Sequence, residues 1–392
     1  MPDAGRFDVV VVGGGVAGLT TARSLTARRV LVVERDIRVG GRVLTLERPW
    51  GGIDLGACFA FRPELLPGDV PHPTDRCDER GPVGALVQGN FAFDPSSRGL
   101  LEKIDPTERA SVETALFHQI HPGARKSYSA ERQADALVDW YPDHWQSGNG
   151  ALVRGWAEGL AADVWLEANV VELREQSHEV VVRIARQGTT SEVTARAVVV
   201  ATPASTALAL VRPRDAACRE FLAATRYGRY TVVAFELEGA AIEPDFRFIV
   251  TPGLALTLVM QQASHDRRRR TLLCYYDDAA SERVDALSDA ELVSATRRDL
   301  EPLSRLGVAL TRAKATVHRW ELSGTVLDDE RVALYRPEHA RATARIFLAG
   351  DYLASTPGWG YGLDDAVASG KRTAALVSSL WDTELATTGA PR

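Results

Sequence analysis

The sequence predicts an α/β fold in which a Rossmann-type domain, assembled from separate stretches of the chain, accompanies a mixed α+β domain. Val9–Val12 is a continuous run of valines, as expected of a parallel strand that is buried on both faces. Three glycines in G-x-G-x-x-G spacing and a helical pattern follow, and "VLVVE" returns as a second strand that ends at Glu34. A succession of strand, glycine and helix recurs between "RIFLAGDY" and "LDDAVASG" near the C-terminus.

The first turn predicts a site for the diphosphate of a dinucleotide. Gly13 permits the tight turn, Gly15 lets the backbone approach a pyrophosphate, and Gly18 lets the helix and strand pack closely. The helix N-terminus offers free N–H groups and a positive dipole end to phosphate oxygens. Glu34 follows the first glycine by about 20 residues, the spacing at which an acidic side chain accepts hydrogen bonds from a ribose.

Composition restricts the class of function. The chain has 392 residues, 45% of them hydrophobic, which suffices for one large domain or two interleaved ones. The formal net charge of −6 argues against a general nucleic-acid binder. The four cysteines show no metal-ligand spacing, so we expect free thiols and no metal site. The N-terminus has no signal-peptide pattern and its apolar run is too short for a membrane span, so we expect a cytoplasmic protein without a transmembrane helix.

The stretch after Glu34, "RDIRVGGRVLTLERPWGGIDLGACF", indicates which dinucleotide binds. Its Gly40–Gly41–Arg42 resembles the Gly-Gly-Arg hallmark of the amine-oxidase superfamily of flavoproteins, which includes amine oxidases, protoporphyrinogen oxidase and phytoene-type desaturases. The resemblance implies that FAD is the cofactor and that Gly41 and Arg42 help to hold its diphosphate; a guanidinium suits this role because it is permanently charged and bidentate. Arg35 is assigned to the cofactor site with them. "DLGA" resembles the family segment that passes the flavin, where small Gly56 and Ala57 would admit the ring.

Two further stretches carry the resemblance. In "RIFLAGDYLASTPGWGYGLDDAVASG", Gly350 and Asp351 resemble the family's contact with the ribityl chain or diphosphate. A helix that begins near Leu363, after Gly362, would direct its N-terminus at the pyrimidine end of the flavin. In "GNGALVRGWAEGLAADVWLEANVVEL", Val170 matches the family's adenine-contacting valine, and a strand valine that only packs in the core is the alternative.

The resemblance thus covers both ends and the middle of the chain, which implies discontinuous domains. We predict an FAD-binding domain from residues 1–60, 148–210 and 335–392, and a substrate-binding domain from residues 61–147 and 211–334.

The catalytic residues are harder to predict because a neutral amine can lose hydride directly to the flavin without an acid or a base. Trp359 and Tyr361 flank Gly360 where amine oxidases place an aromatic residue against the substrate amine, so one of the two rings is predicted to fill this role. His318 and Trp320 either line the pocket or pack in the core. None of the four lysines lies at the start of the strand "YTVVAFEL", where many family oxidases carry a lysine that assists reaction with oxygen.

We therefore expect an FAD-dependent oxidoreductase that removes hydride from a carbon next to nitrogen on a small molecule and so forms an imine. Desaturation of a C–C bond in an apolar or cyclic substrate is one alternative, since the Asp after the glycine in "AGDY" is more typical of desaturases. A non-catalytic binder, like the GDP-dissociation inhibitors of this fold, is the other. The electron acceptor, either oxygen or another molecule, stays open.

Overall fold

The structure is a computed structural model, and it describes residues 5–25, 28–58, 76–78, 81–118, 121–123, 125–135, 143–213, 215–239, 245–262, 264–266, 268–353 and 362–388. Its strands are β1 Arg6–Val12, β2 Val30–Val33, β3 Thr45–Arg48, β4 Gly51–Asp54, β5 Arg76–Asp78, β6 Val83–Val87, β7 Asn90–Asp94, β8 Asp143–Trp145, β9 Asp163–Trp165, β10 Ala168–Glu175, β11 Val180–Arg186, β12 Thr189–Val200, β13 Tyr230–Glu238, β14 Phe248–Val250, β15 Leu258–Gln262, β16 Arg269–Tyr276, β17 Lys314–Trp320 and β18 Ile346–Leu348.

The helices are α1 Val16–Ser24, α2 Ser97–Lys103, α3 Arg109–His118, α4 Ala130–Asp135, α5 Asn149–Glu158, α6 Ala204–Val211, α7 Ala216–Ala224, α8 Asp278–Val284, α9 Asp289–Asp299, α10 Asp329–Leu334 and α11 Leu363–Thr388. Short 3-10 turns cover Arg125–Ser127, Glu301–Leu306, Pro337–Ala340 and Asp351–Leu353. No helix within these described ranges combines the length and the apolar character that a membrane crossing requires.

The first sheet contains the predicted Rossmann unit. Five parallel strands lie in the order β18-β12-β1-β2-β9, so the valine run of β1 is central and buried on both faces. The long strand β12 uses one edge twice: its first half pairs with β11 and its last residues pair with β18. The antiparallel pair β10–β11 thereby extends the sheet.

The two faces of this sheet have separate cores. On one face, α1, α5 and α11 cover Val9 and Val11. On the other face, α6, α7 and the β10–β11 pair cover Val10 and Val12. Gly370 lets α11 lie directly on α1, because a Cβ at this position would come within 2.6 Å of the Ala17 carbonyl oxygen.

The second sheet is mixed and has the strand order β17-β13-β16-β15-β14-β6-β7. All its neighbouring strands are antiparallel except β14 and β6, which run parallel. Its outer face packs on α8 and α9. Its inner face packs on α2, α3 and the end of β4, including Ile53 and Leu55. The segment that leads toward Gly56 therefore lies between the two sheets.

The fold class predicted from the sequence is confirmed, with a Rossmann-like sheet and a mixed sheet in one chain. The predicted helix start at Leu363 is the observed first residue of α11. The strands of the first sheet come from three separate stretches of the chain. The domain boundaries themselves stay a prediction.

Candidate functional site

The carboxyl ends of β1, β2 and β18 gather predicted cofactor residues from both ends of the chain. Because these strands belong to one parallel array, Gly13, Glu34, Gly350 and Asp351 follow their strands at the same edge of the sheet. Ligands of open α/β sheets bind in the crevice outside this edge.

The three glycines of the first turn are there for different physical reasons. Gly13 has φ +106°, a conformation that side chains disfavour. A Cβ on Gly18 would lie 2.0 Å from the Gly13 carbonyl oxygen, so the close approach of α1 requires a glycine. Gly15 has an ordinary φ of −74°, and a Cβ there would meet nothing nearer than the Gly41 Cα at 3.9 Å. The fold itself therefore explains the glycines at positions 13 and 18. It does not explain the glycine at position 15, for which the approach of a ligand stays the predicted reason.

Glu34 is buried and reaches back to the glycine turn. Its Oε2 accepts a hydrogen bond of 2.6 Å from the Gly14 N–H, and its Oε1 accepts one of 2.9 Å from the Asp36 N–H. A carboxylate has about four acceptor positions, so both oxygens keep capacity for ribose hydroxyls. The side chain therefore also orders the turn, a role that the sequence did not indicate.

Arg38 holds the Gly-Gly-Arg loop in place, and the sequence analysis did not identify it. Its guanidinium donates to the carbonyl oxygens of Val39, Gly41 and Val43 at 3.1, 2.9 and 2.8 Å. The Gly40 N–H in turn donates to the Gly14 carbonyl at 2.8 Å. The Gly-Gly-Arg loop and the glycine turn are thus joined into one backbone surface.

Arg42 and Asp351 form a bidentate ion pair between the two ends of the chain. The Arg42 Nη1 lies 3.0 Å from one carboxylate oxygen, and Nη2 donates to the other. Arg42 also donates to the Ser323 carbonyl, and the Thr325 hydroxyl donates to Asp351 at 2.9 Å. Burial is the largest single influence and would lower the pKa of Arg42, but the charge and hydrogen bonds of Asp351, together with Tyr227, outweigh it and raise this pKa. Two predicted contacts of the cofactor therefore meet at one point.

Gly56 and Ala57 pack against the backbone of Arg42. A Cβ on Gly56 would lie 2.1 Å from the Arg42 carbonyl oxygen, and the Ala57 N–H donates to that oxygen at 3.0 Å. The need for a glycine at position 56 is therefore explained by backbone packing, whereas the sequence analysis attributed it to the flavin ring. Both residues are half-buried, so the segment still presents a surface.

Helices α1 and α11 run in the same direction, as their contacts show. Gly370 lies against Ala17, and the Arg28 guanidinium lies 4.7 Å from the ring centre of Trp381. Ala17 is the second residue of α1 and Gly370 the eighth of α11, so α11 begins six residues earlier along the shared direction. At 1.5 Å per residue this offset is about 9 Å. The positive end of α11 thus lies beyond the positive end of α1 along their shared direction.

The other predicted site residues vary in position. Leu363 is buried in the core, and Gly362 precedes it at the start of α11. Gly350 is buried, and its N–H donates to the Ser369 hydroxyl at 3.0 Å. Arg35 is exposed beyond the end of β2. The Val170 side chain packs in the core, and its contact with adenine stays a prediction. Trp359 and Tyr361 lie outside the described residues.

A buried carboxylate links the second sheet to β3 and to the start of α5 beside this site. Asp54 accepts hydrogen bonds from the Thr45 hydroxyl, the Asn149 N–H and the Gln262 side chain. Gln262 also accepts the Asp54 N–H at 3.0 Å. Burial raises the pKa of Asp54 to about 7, although these hydrogen bonds act in the opposite direction. Asp54 thereby fixes the end of β4, from which Gly56 and Ala57 extend.

Four partly exposed rings on the inner face of the second sheet form what we call the aromatic wall: Tyr230, Tyr275, His318 and Trp320. The Trp320 indole donates to the Leu55 carbonyl at 2.6 Å, and the Tyr275 hydroxyl lies 3.6 Å from the Cys58 sulfur. The wall therefore touches the chain immediately before and after Gly56 and Ala57. Its partial exposure contrasts with the fully buried core of the same face.

Several residues around the ion pair carried no signal in the sequence. Ser323 and Thr325 lie in an irregular stretch 28 and 26 residues before Asp351, without periodicity or spacing to mark them. Tyr227 accepts the Ala204 N–H at 2.9 Å and lies beside Arg42, with its ring centre 5.6 Å from the guanidinium carbon. Asp54 is the first residue of the quoted "DLGA" motif. The strand alternation around it could have indicated that its side chain points inward.

Comparisons with known proteins agree with this arrangement. The flavin-containing amine oxidoreductase family matches residues 78–378, and an NAD(P)-binding Rossmann-like domain family matches residues 11–64. Coproporphyrinogen III oxidase of Propionibacterium freudenreichii subsp. freudenreichii is 44% identical over 69 residues, which are 17% of this chain. The match covers 13% of that relative, so the chain aligns with about an eighth of its length.

Solved structures match almost the whole chain. Cyclohexylamine oxidase from Brevibacterium oxydans superposes with a TM-score of 0.74 at 17% identity, over 96% of this chain and 99% of the other. Putrescine oxidase bound to putrescine superposes with a TM-score of 0.74 at 17% identity, over 95% of this chain and 99% of the other. At this identity the likeness shows a common fold.

Proposed function

Because the chain belongs to the flavin-containing amine oxidoreductase family, and is a flavin-dependent oxidoreductase on that ground, we propose that its flavin is FAD and that it oxidises a C–N bond of a small amine to an imine. The non-catalytic alternative is set aside, since the family and the matched structures are oxidoreductases.

The observation that best supports FAD is the pair of parallel helices α1 and α11, whose positive N-terminal ends are offset along their axes. The N-terminus of α1, with the side-chain-free space at Gly15, suits a diphosphate. The N-terminus of α11 projects about 9 Å beyond that of α1 along the helix axes. A second anionic or electron-rich group would be stabilised there. A flavin dinucleotide has a diphosphate in its middle and a ring that gains charge on reduction at one end.

The residues at the sheet edge would divide the binding of FAD among them. Glu34 would accept ribose hydroxyls, while the Gly14 N–H keeps its carboxylate oriented. Arg42 would meet the diphosphate with a charge that Asp351 keeps in one orientation. The Gly56–Ala57 strip would lie along the ring, in front of the aromatic wall. The bound flavin supplies the two-electron acceptor for a hydride.

The aromatic wall supports an amine as the substrate. Rings bury the carbon skeleton of a small molecule and favour a nitrogen over their faces. The wall lies beside the Gly56–Ala57 strip through the contacts of Trp320 and Tyr275. A substrate held there would be oriented by the protein while the chemistry is that of the cofactor.

Oxidation of a C–C bond is the second candidate. One observation favours it: the Asp after the glycine in "AGDY", which is more typical of desaturases. Such an enzyme would reduce its flavin with nitrogen-free or cyclic substrates and not with simple amines.

The test is anaerobic stopped-flow spectroscopy of the purified holoenzyme. We expect cyclohexylamine, putrescine or another small amine to bleach the flavin absorbance, and cyclohexane or cyclohexene to leave it unchanged. Bleaching only by nitrogen-free substrates would overturn C–N oxidation in favour of C–C oxidation. Release of FMN or no flavin on denaturation would overturn FAD.

A further inference from the structure

His318 is the polar member of the aromatic wall that the cofactor site does not use. It lies on the edge strand β17, with Val232 as its partner across the sheet. Its neighbours Ala315 and Val317 pack into the outer core. Because side chains alternate along a strand, the ring of His318 is on the inner face, with Tyr230 and Tyr275.

Trp320 fixes the position of this imidazole. The two rings meet edge to face, with their centres 4.4 Å apart and their planes at 64°. The Trp320 indole is itself tied to the Leu55 carbonyl, one residue before Gly56. His318 is thus held one ring away from the strip proposed to face the flavin. It forms no hydrogen bond with any residue in the described part of the chain, and its ring is partly accessible.

The charge that shifts the pKa of His318 is positive. Burial lowers the pKa of the imidazole, and the Arg38 guanidinium lowers it further. The titratable groups of the neighbouring elements are Arg38 of the Gly-Gly-Arg loop, Tyr230 of β13, Tyr275 of β16, Cys58 after β4, and the carboxylates Asp54, Asp277 and Asp278 that act on the two tyrosines. Burial also raises the pKa of both tyrosines, so they are neutral. His318 is therefore a neutral imidazole with one acceptor nitrogen at physiological pH.

We propose that His318 accepts a hydrogen bond from the nitrogen of a neutral amine substrate. The proposal deepens, and rests on, the proposed function. Hydride loss from the carbon requires a lone pair on the adjacent nitrogen, which an ammonium lacks. The ammonium proton leaves to solvent on binding, and no covalent bond to His318 forms or breaks.

The test uses 1-methylcyclohexylamine, whose nitrogen-bearing carbon has no hydrogen, so it binds without turnover. The holoenzyme is labelled with ¹⁵N-histidine, and the His318 resonances are assigned by their loss in His318→Gln. We expect saturation with the amine to lower the pKa of His318, because the bound N–H occupies the nitrogen that a proton would need. Affinity should rise with pH up to the pKa of the free amine.

Two variants separate hydrogen bonding from packing. His318→Leu keeps the bulk but removes the acceptor, and it should weaken amine binding about threefold to tenfold. His318→Gln keeps an acceptor oxygen and should retain most of the affinity. FAD content and thermal unfolding show whether each variant is folded.

The outcomes distinguish the two proposals. Reduction of the flavin by cyclohexylamine, together with parent affinity for 1-methylcyclohexylamine in a folded His318→Leu variant, overturns the role of His318 alone. An unchanged His318 titration in the amine-saturated parent does the same. If neither amine binds or reduces the parent, the proposed function and the role of His318 both fail.

Discussion

Arg42 and Asp351 are 309 residues apart in the sequence and form a two-pronged ion pair at the edge of the parallel sheet. Asp351 is buried, while about a third of the Arg42 side chain is accessible. The arginine therefore presents its accessible part to the crevice while the aspartate keeps it in place. Each was predicted separately as a cofactor contact, and the structure makes them one unit.

Replacing Arg42 by Ala should weaken FAD binding about tenfold to a hundredfold, because a charge-assisted hydrogen bond contributes about 1.5–3 kcal/mol. Equilibrium titration of the apoprotein with FAD measures this. The matched control is Arg48→Ala. It removes another arginine–carboxylate pair, which Arg48 of β3 forms with Glu236 of β13. An equal loss of affinity in both variants would show that Arg42 acts only through general stability.

Glycine positions 15 and 18 should respond in opposite ways to alanine. A Cβ at Gly15 has room within the protein, so Gly15→Ala should leave the stability of the apoprotein unchanged but lower its FAD occupancy. A Cβ at Gly18 would collide with the Gly13 carbonyl, so Gly18→Ala should lower the melting temperature of the apoprotein itself. Full FAD occupancy in a folded Gly15→Ala variant would show that the diphosphate does not bind at this turn.

Asp54 should make stability fall as pH rises. Its pKa is about 7 in the folded protein and about 4 in an unfolded chain. Between these values the folded state holds a proton that the unfolded state has lost, so the free energy of unfolding decreases through this window. Urea titrations from pH 4 to 8 should show a decline in the parent relative to Asp54→Asn, at most on the order of 4 kcal/mol. Parallel profiles would place the pKa of Asp54 near its ordinary value.

Trp359 and Tyr361 should affect the reaction and not the cofactor. If one of these rings orients the amine, its replacement by Ala should lower the rate of flavin reduction while FAD stays bound. Anaerobic stopped-flow with cyclohexylamine compares the two variants with the parent. Parent rates in both would exclude the pair from the active site.

Reoxidation of the reduced enzyme by oxygen should be slow relative to its reduction. No lysine occurs on β13, and Lys314 on the neighbouring strand lies 3.8 Å from Glu236. Mixing the anaerobically reduced protein with oxygenated buffer measures this rate. Reoxidation faster than reduction would show that another group activates oxygen.

The sequence predicted the parts of the site that local backbone geometry dictates. Gly13 and Gly18 are required by a turn and a close contact, and both can be read from spacing. Ser323, Thr325 and Tyr227 could not be predicted, because they reach Arg42 and Asp351 only through the packing of distant segments. His318 was left between pocket and core, since strand alternation fixes its face but not its exposure.

The ion pair also has a consequence for biosynthesis. Arg42 is translated some three hundred residues before Asp351 and its strand β18. The strand β12, which separates β1 from β18, is also made long after β1. When the glycine turn has been made, the neighbouring strands that complete the sheet have therefore not yet been synthesised. Stable binding of the cofactor should accordingly begin only once the segment with β18 and Asp351 has been made and has folded back onto the sheet.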